Sequence, residues 1–136
     1  MGVWDLGPFD NDAAEGFILD LCEMSEADAT AEICSVMNSV VKNNDYVDRA
    51  EMSAAIAGAA LVAKQIDPSL PLPETVEEAM AGKTFNVEGL RDLANRVFRR
   101  ADDPDNNDWY DQRCGDFEGF KHVEAKNGPY RRVLEG

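Results

Sequence analysis

The hydrophobic positions of this chain recur with a helical period, and the densest run lies near its middle. Across residues 51–66, Met52, Ala55, Ile56, Ala59, Val62, Ala63 and Ile66 mark one apolar face. Ala54, Ala57, Gly58 and Leu61 make the opposite side apolar too, which predicts a helix buried on several sides. Lys64, Gln65 and the Asp67-Pro68 pair close the run before it reaches membrane-spanning length. Small residues along it let neighbouring helices approach closely. This stretch is therefore expected to be the central helix of a small bundle, with Asp45 as its N-cap.

The flanking pattern predicts further helices. Asp12 with Glu15 forms a capping box that starts a helix near Ala13. Asp10 is a competing cap, with Phe9 and Ala14 placed as a hydrophobic staple. Ala14, Phe17, Ile18 and Leu21 give that helix a buried stripe, and Trp4 and Phe9 fold back on it as anchors. Ser25 and Asp28 open a second helix whose inner face is Ile33, Met37, Val40 and Val41. Pro68, Pro71 and Pro73 predict a rigid, surface-exposed linker, after which Thr75 and Glu78 cap a short helix ending near Gly82. Asn86 caps a fifth helix, with Val87, Leu90, Leu93, Ala94, Val97, Phe98 and Ala101 on one face. Phe117, Phe120 and Val123 predict a tail helix that Asn127-Gly128-Pro129 breaks, before a last short segment around residues 130–134. The expectation is an all-α, single-domain bundle over residues 1–136, of about five to seven helices around the Ala-rich one.

Charge changes the picture more than composition does. The net charge is −14, and residues 1–41 hold nine acidic side chains and no Lys or Arg. Residues 1–82 carry 16 acidic and 3 basic groups, against 11 and 10 in residues 83–136. The negative field thus belongs to the N-terminal part. It disfavours nucleic acid and anionic membranes, and it would steer a basic partner inward. The plainer readings are a solubilising surface, or pairing with the basic C-terminal part. The cysteines Cys22, Cys34 and Cys114 form no C-x-x-C pair, which fits buried, reduced thiols in a cytoplasm. Neither a signal peptide nor a spanning segment is expected.

Candidate chemistry is sparse. Asp5, Asp10 and Asp12 could make an acidic site, although capping already explains one or two of them. Arg96, Arg99 and Arg100 crowd one helix end, where the dipole favours cations. They could also clamp an anion or bridge to the acidic helices. Asp103, Asp105 and Asn107 match the first ligand positions of a calcium loop, but Asp108 replaces its glycine and Cys114 its closing glutamate. Asp103-Pro104 then reads as a helix N-cap and first residue. His122 is the only histidine, and no nucleophile elbow, phosphate loop or dinucleotide glycine pattern occurs. No catalytic residue, metal or cofactor is expected.

The run Trp4-x-x-Gly7-Pro8-Phe9-Asp10-Asn11-Asp12-Ala13-Ala14-x-x-Phe17 resembles the opening of a bacterial family, domain of unknown function 4259. Glu51, Ser53 and the alanines at 54, 55, 57, 59 and 60 resemble its Ala-rich helix. Pro71 to Pro73 and Asp103-Pro104-Asp105-Asn106, with Trp109 after it, resemble later segments. Leu6 departs from the small polar residue common at that turn. The resemblance implies a small, mostly helical protein and defines no catalytic residues.

These features together lead to the expectation of a non-enzymatic, acidic cytoplasmic binding protein. It would be an immunity- or antitoxin-type inhibitor of a basic protein partner, with neither nucleic acid nor membrane bound. The partner-binding candidates are Asp5, Asp10, Asp12, Asp20, Glu23 and Asp28, with Arg96, Arg99 and Arg100. The alternatives are a metal-binding protein or metal-dependent enzyme that uses the acidic segments, and a structural or self-associating domain.

Overall fold

The computed structural model describes residues 12–43, 45–70, 72, 74–80, 89–103, 105–113 and 117–135. These form α1 (Asp12–Cys22), α2 (Glu26–Val41), α3 (Arg49–Ile66), α4 (Glu74–Ala79), α5 (Arg91–Asp102), α6 (Asp108–Arg113) and α7 (Phe117–Glu135). The fold is all-α, with no strand among the described residues.

A helix apolar on every side needs neighbours on every side, and α3 has them. α1, α2, α5, α6 and α7 all pack against it, while α4 packs on α1. Met52, Ala55, Ile56, Ala57, Ala59, Ala60, Leu61, Val62 and Ala63 are all buried. At Gly58 a Cβ would lie 3.5 Å from Ile33, 3.6 Å from Val36 and 3.7 Å from Phe17. The missing side chain thus marks where α1 and α2 close in on α3. The expected stripes fill the remaining core: Ala14, Phe17, Ile18 and Leu21 from α1, and Ile33, Met37 and Val40 from α2. Ala94, Val97, Phe98 and Ala101 come from α5. Val41, Leu90 and Leu93 lie at the edge of this cluster, partly buried.

Several ends differ from the sequence expectation. Ser25 does cap α2, accepting from the Asp28 N–H at 3.2 Å. For α3 the cap is Asp48, which accepts from the Glu51 N–H at 2.8 Å, and not Asp45. The reason is tertiary. Val47 is buried and bridges to Asn107, so the chain stays extended until Asp48. The proline linker is not all surface. Leu70 is buried, and the Lys64 Nζ reaches back to the carbonyls of Pro68 and Leu70, the latter at 2.6 Å. The N–H and hydroxyl of Ser69 both donate to Asp67, holding its carboxyl below the usual range. Thr75 sits inside α4, which begins one residue earlier, so it is not the cap. α5 starts only at Arg91, after Gly89 at φ +82° and a Leu90 that provides no side-chain cap. Asn86 and Val87 lie outside the described residues. Cys22 and Cys34 are free as expected, but half-buried instead of fully buried.

The largest departure is α7, which runs through Pro129 without breaking. The absent Pro129 N–H would have served the carbonyl of Ala125, and Ala125 is exposed, so water can take its place. Beyond the proline, Tyr130 and Leu134 are buried against the bundle. Arg91 at the start of α5 donates to the carbonyls of Leu134 at 3.0 Å and Val133 at 3.1 Å. These groups satisfy a helix end that otherwise lacks partners. Packing and capping together outweigh the local breaker signal.

Candidate functional site

Charged groups gather at the two ends of α2. Its 16 residues separate those ends, by about 24 Å at the usual helical rise.

At the N-terminal end, α1 turns into α2 through residues 23–25. Glu23 and Met24 donate to the carbonyls of Asp20 and Leu21, making this turn tight. The apolar stripes face inward, so the acidic positions point out. Glu15, Asp20, Glu23, Glu26 and Asp28 are exposed. Leu19 stands among them with 55% of its surface in solvent. The ion pairs Arg96–Asp92, Arg131–Asp102 and Arg131–Glu135 involve none of Asp20, Glu23 and Asp28.

The C-terminal end is built differently. The segment before α3 meets the segment between α5 and α6. Val47 N–H donates to the Asn106 carbonyl at 2.8 Å, and Asp108 N–H donates to the Val47 carbonyl at 3.1 Å. Asn107, wholly buried, ties the joint together. Its Nδ2 donates to the carbonyls of Arg100, Ala101 and Asp103 at 3.0–3.2 Å, covering the open end of α5. Its Oδ1 accepts from the Tyr110 N–H at 3.0 Å and so caps α6. The expected cap, Asp103, instead closes α5 and accepts from the Asp105 N–H at 3.0 Å. Asn106 takes φ +52°, a left-handed turn that asparagine tolerates better than most residues.

A cleft of about 300 Å³ opens beside this joint, lined by Val41, Asn43, Arg100, Asp103, Asp105 and Asn106. The Arg100 guanidinium is engaged there by backbone. Nη1 donates to the Asp105 carbonyl at 3.1 Å, and Nη2 to those of Asn106 at 3.1 Å and Asp45 at 3.5 Å.

The arginine group therefore does not form one clamp. Arg96 pairs with Asp92 on its own helix at 3.0 Å, and Arg99 is exposed. Arg100 bridges to the α2–α3 connection through a carbonyl, and not to the carboxylates of the acidic helices. Asp20, Glu23 and Asp28 lie together at the other end of α2. Asp5 and Asp10 fall outside the described residues, as does the side chain of Asp12, the first residue of α1.

Among families of known sequence, the domain of unknown function (DUF4259) matches residues 2–120. The chain belongs to the DUF4259 family. Comparison with curated proteins finds no match, and comparison with solved structures finds none either. The DUF4259 match spans α1 to α6 and ends within the first turn of α7. In this DUF4259 chain the D-P-D-N segment is a structural joint. Asn107, which the calcium reading needed as a ligand, has both side-chain polar atoms engaged by backbone. Among the described residues, no group of three or more His, Cys, Asp and Glu could hold a metal ion. None of their helices is long and apolar enough to cross a membrane. Sequence reasoning missed the capping role of Asn107 and the clamp from Arg91. The one available signal was an asparagine directly before Asp108-Trp109-Tyr110, a favoured N-cap ahead of a helix.

Proposed function

We propose that this protein is a non-enzymatic, acidic binding protein that uses the α1–α2 end to capture a basic protein partner in the cytoplasm. An immunity- or antitoxin-type inhibitor is the role that this description fits best. The observation that carries the reading is the exposure of Asp20, Glu23 and Asp28 at the α1–α2 turn and its flanks. Glu15 and Glu26 extend the acidic surface, and the exposed Leu19 supplies an apolar anchor inside it. Interfaces combine such an anchor with a polar rim, and like-signed charge accelerates capture of an oppositely charged partner. Arg96 and Arg100 are left out of this surface, because Arg96 pairs with Asp92 and the Arg100 guanidinium is engaged by backbone at the other end of α2, and Arg99 is left out with them.

The test is affinity capture from the native host at low and physiological salt. Wild type is compared with a variant carrying Asp20→Lys, Glu23→Lys and Asp28→Lys. A basic protein captured by wild type and lost by the variant, with helicity and Tm unchanged, supports the reading. Identical captured proteins for both chains would contradict it.

A further inference from the structure

We propose that residues 121–135 of α7 act as a strap that opens and recloses over α3 and α5 while the rest of the bundle stays folded. Two independent observations lead there. First, α3, α5 and α7 touch one another, and each brings a buried polar atom with no hydrogen-bond partner: Ser53 Oγ, Asn95 Oδ1 and Asn127 Oδ1. Such atoms weaken the closed state, because water would satisfy them on opening. Second, Pro129 deletes one rung of the α7 ladder in the middle of the segment.

Among the described residues, polar contacts reach the strap from α5. Arg91 holds the carbonyls of Val133 and Leu134, and Arg131 meets Asp102 at 2.6 Å. Burial pushes the Asp102 carboxyl above its usual range, and the Arg131 guanidinium offsets this only in part. Tyr130 and Leu134 supply the apolar contact. α3 has no comparable weakness along residues 55–63, where every side chain or glycine is buried. A segment with an unsatisfied buried group and an interrupted backbone ladder belongs to the low-stability end of a fold.

Native-state hydrogen exchange on the full chain, read by mass spectrometry over low urea, tests this. Amides across residues 125–134 should share one opening and exchange about 100-fold faster than those of residues 55–63. Asn127→Leu removes the unpartnered Oδ1 and should slow the strap about tenfold without changing α3. Arg91→Gln removes the clamp from the α5 side and should speed the strap about tenfold, again sparing α3. Exchange equal to that of α3 would overturn the proposal. So would a smooth gradient of fraying from residue 135 inward, or variants that move α3 and α7 together or move neither.

Discussion

At the N-terminal end of α2, Asp20, Glu23 and Asp28 hold their carboxylates in solvent; at its C-terminal end, Arg100, Asp103 and Asn107 are drawn into hydrogen bonds with backbone. In sequence the two regions look alike, each being polar, charged and set beside a turn. The difference is what the fold asks of them. The α1–α2 connection is a tight turn closed by its own backbone and by the Ser25 cap, which leaves its carboxylates out of the fold's hydrogen bonding. The second region must end α5, start α6 and receive the strand-like approach to α3, which leaves several carbonyls and N–H groups to satisfy. Polar side chains there complete the backbone, and Asp20, Glu23 and Asp28 at the first end stay exposed.

Substitutions at the two ends should separate these roles. Asn107→Ala should have the largest effect, destabilising by roughly 2–4 kcal/mol in urea unfolding, since it removes a cap and strands buried carbonyls. A loss below about 0.5 kcal/mol would remove the contrast between the ends. Arg100→Met keeps most of the side-chain stem and loses the donors, with an expected cost of about 1–2 kcal/mol. The triple reversal at Asp20, Glu23 and Asp28 should shift stability by less than about 0.5 kcal/mol, because these groups are exposed. A large loss would make that end structural as well. Smallest of all, millimolar calcium should leave Tm unchanged, since the joint uses Asn107 for backbone. A calcium site in the Asp103–Asp105 turn would instead stabilise by about 2.7 kcal/mol at a hundredfold excess over its Kd. A saturable rise abolished by Asp105→Ala would reveal such a site.

Much of the fold was legible because burial writes a period into the sequence. The α3 run and the stripes of α1 and α2 were read from spacing alone, and Ser25 was recognised as a cap from its own side chain and Asp28. Errors arose where distant contacts override local signals. Asp45 has the chemistry of a cap, but the buried Val47 delays the helix to Asp48. Pro129 has the chemistry of a breaker, but Tyr130 and Leu134 find a core and Arg91 finds the last carbonyls. Of the candidate surface, the exposure of Asp20, Glu23 and Asp28 followed from the inward stripes of their helices. That Arg100 is engaged by three carbonyls did not, because one of these lies 55 residues away. Asn107 shows the same limit: its cap for α6 is local, whereas its burial comes from the Val47 bridge.

The central claim is that the α1–α2 end is a binding face that works by charge, and association kinetics test it most directly. With the partner found by capture, the rate of association should fall by about tenfold or more between roughly 20 and 150 mM salt, and dissociation should change far less. The triple reversal at Asp20, Glu23 and Asp28 should slow association at low salt by a similar factor and flatten its salt dependence. An association rate indifferent to both salt and charge reversal would contradict the account and leave the acidity as a solubilising surface.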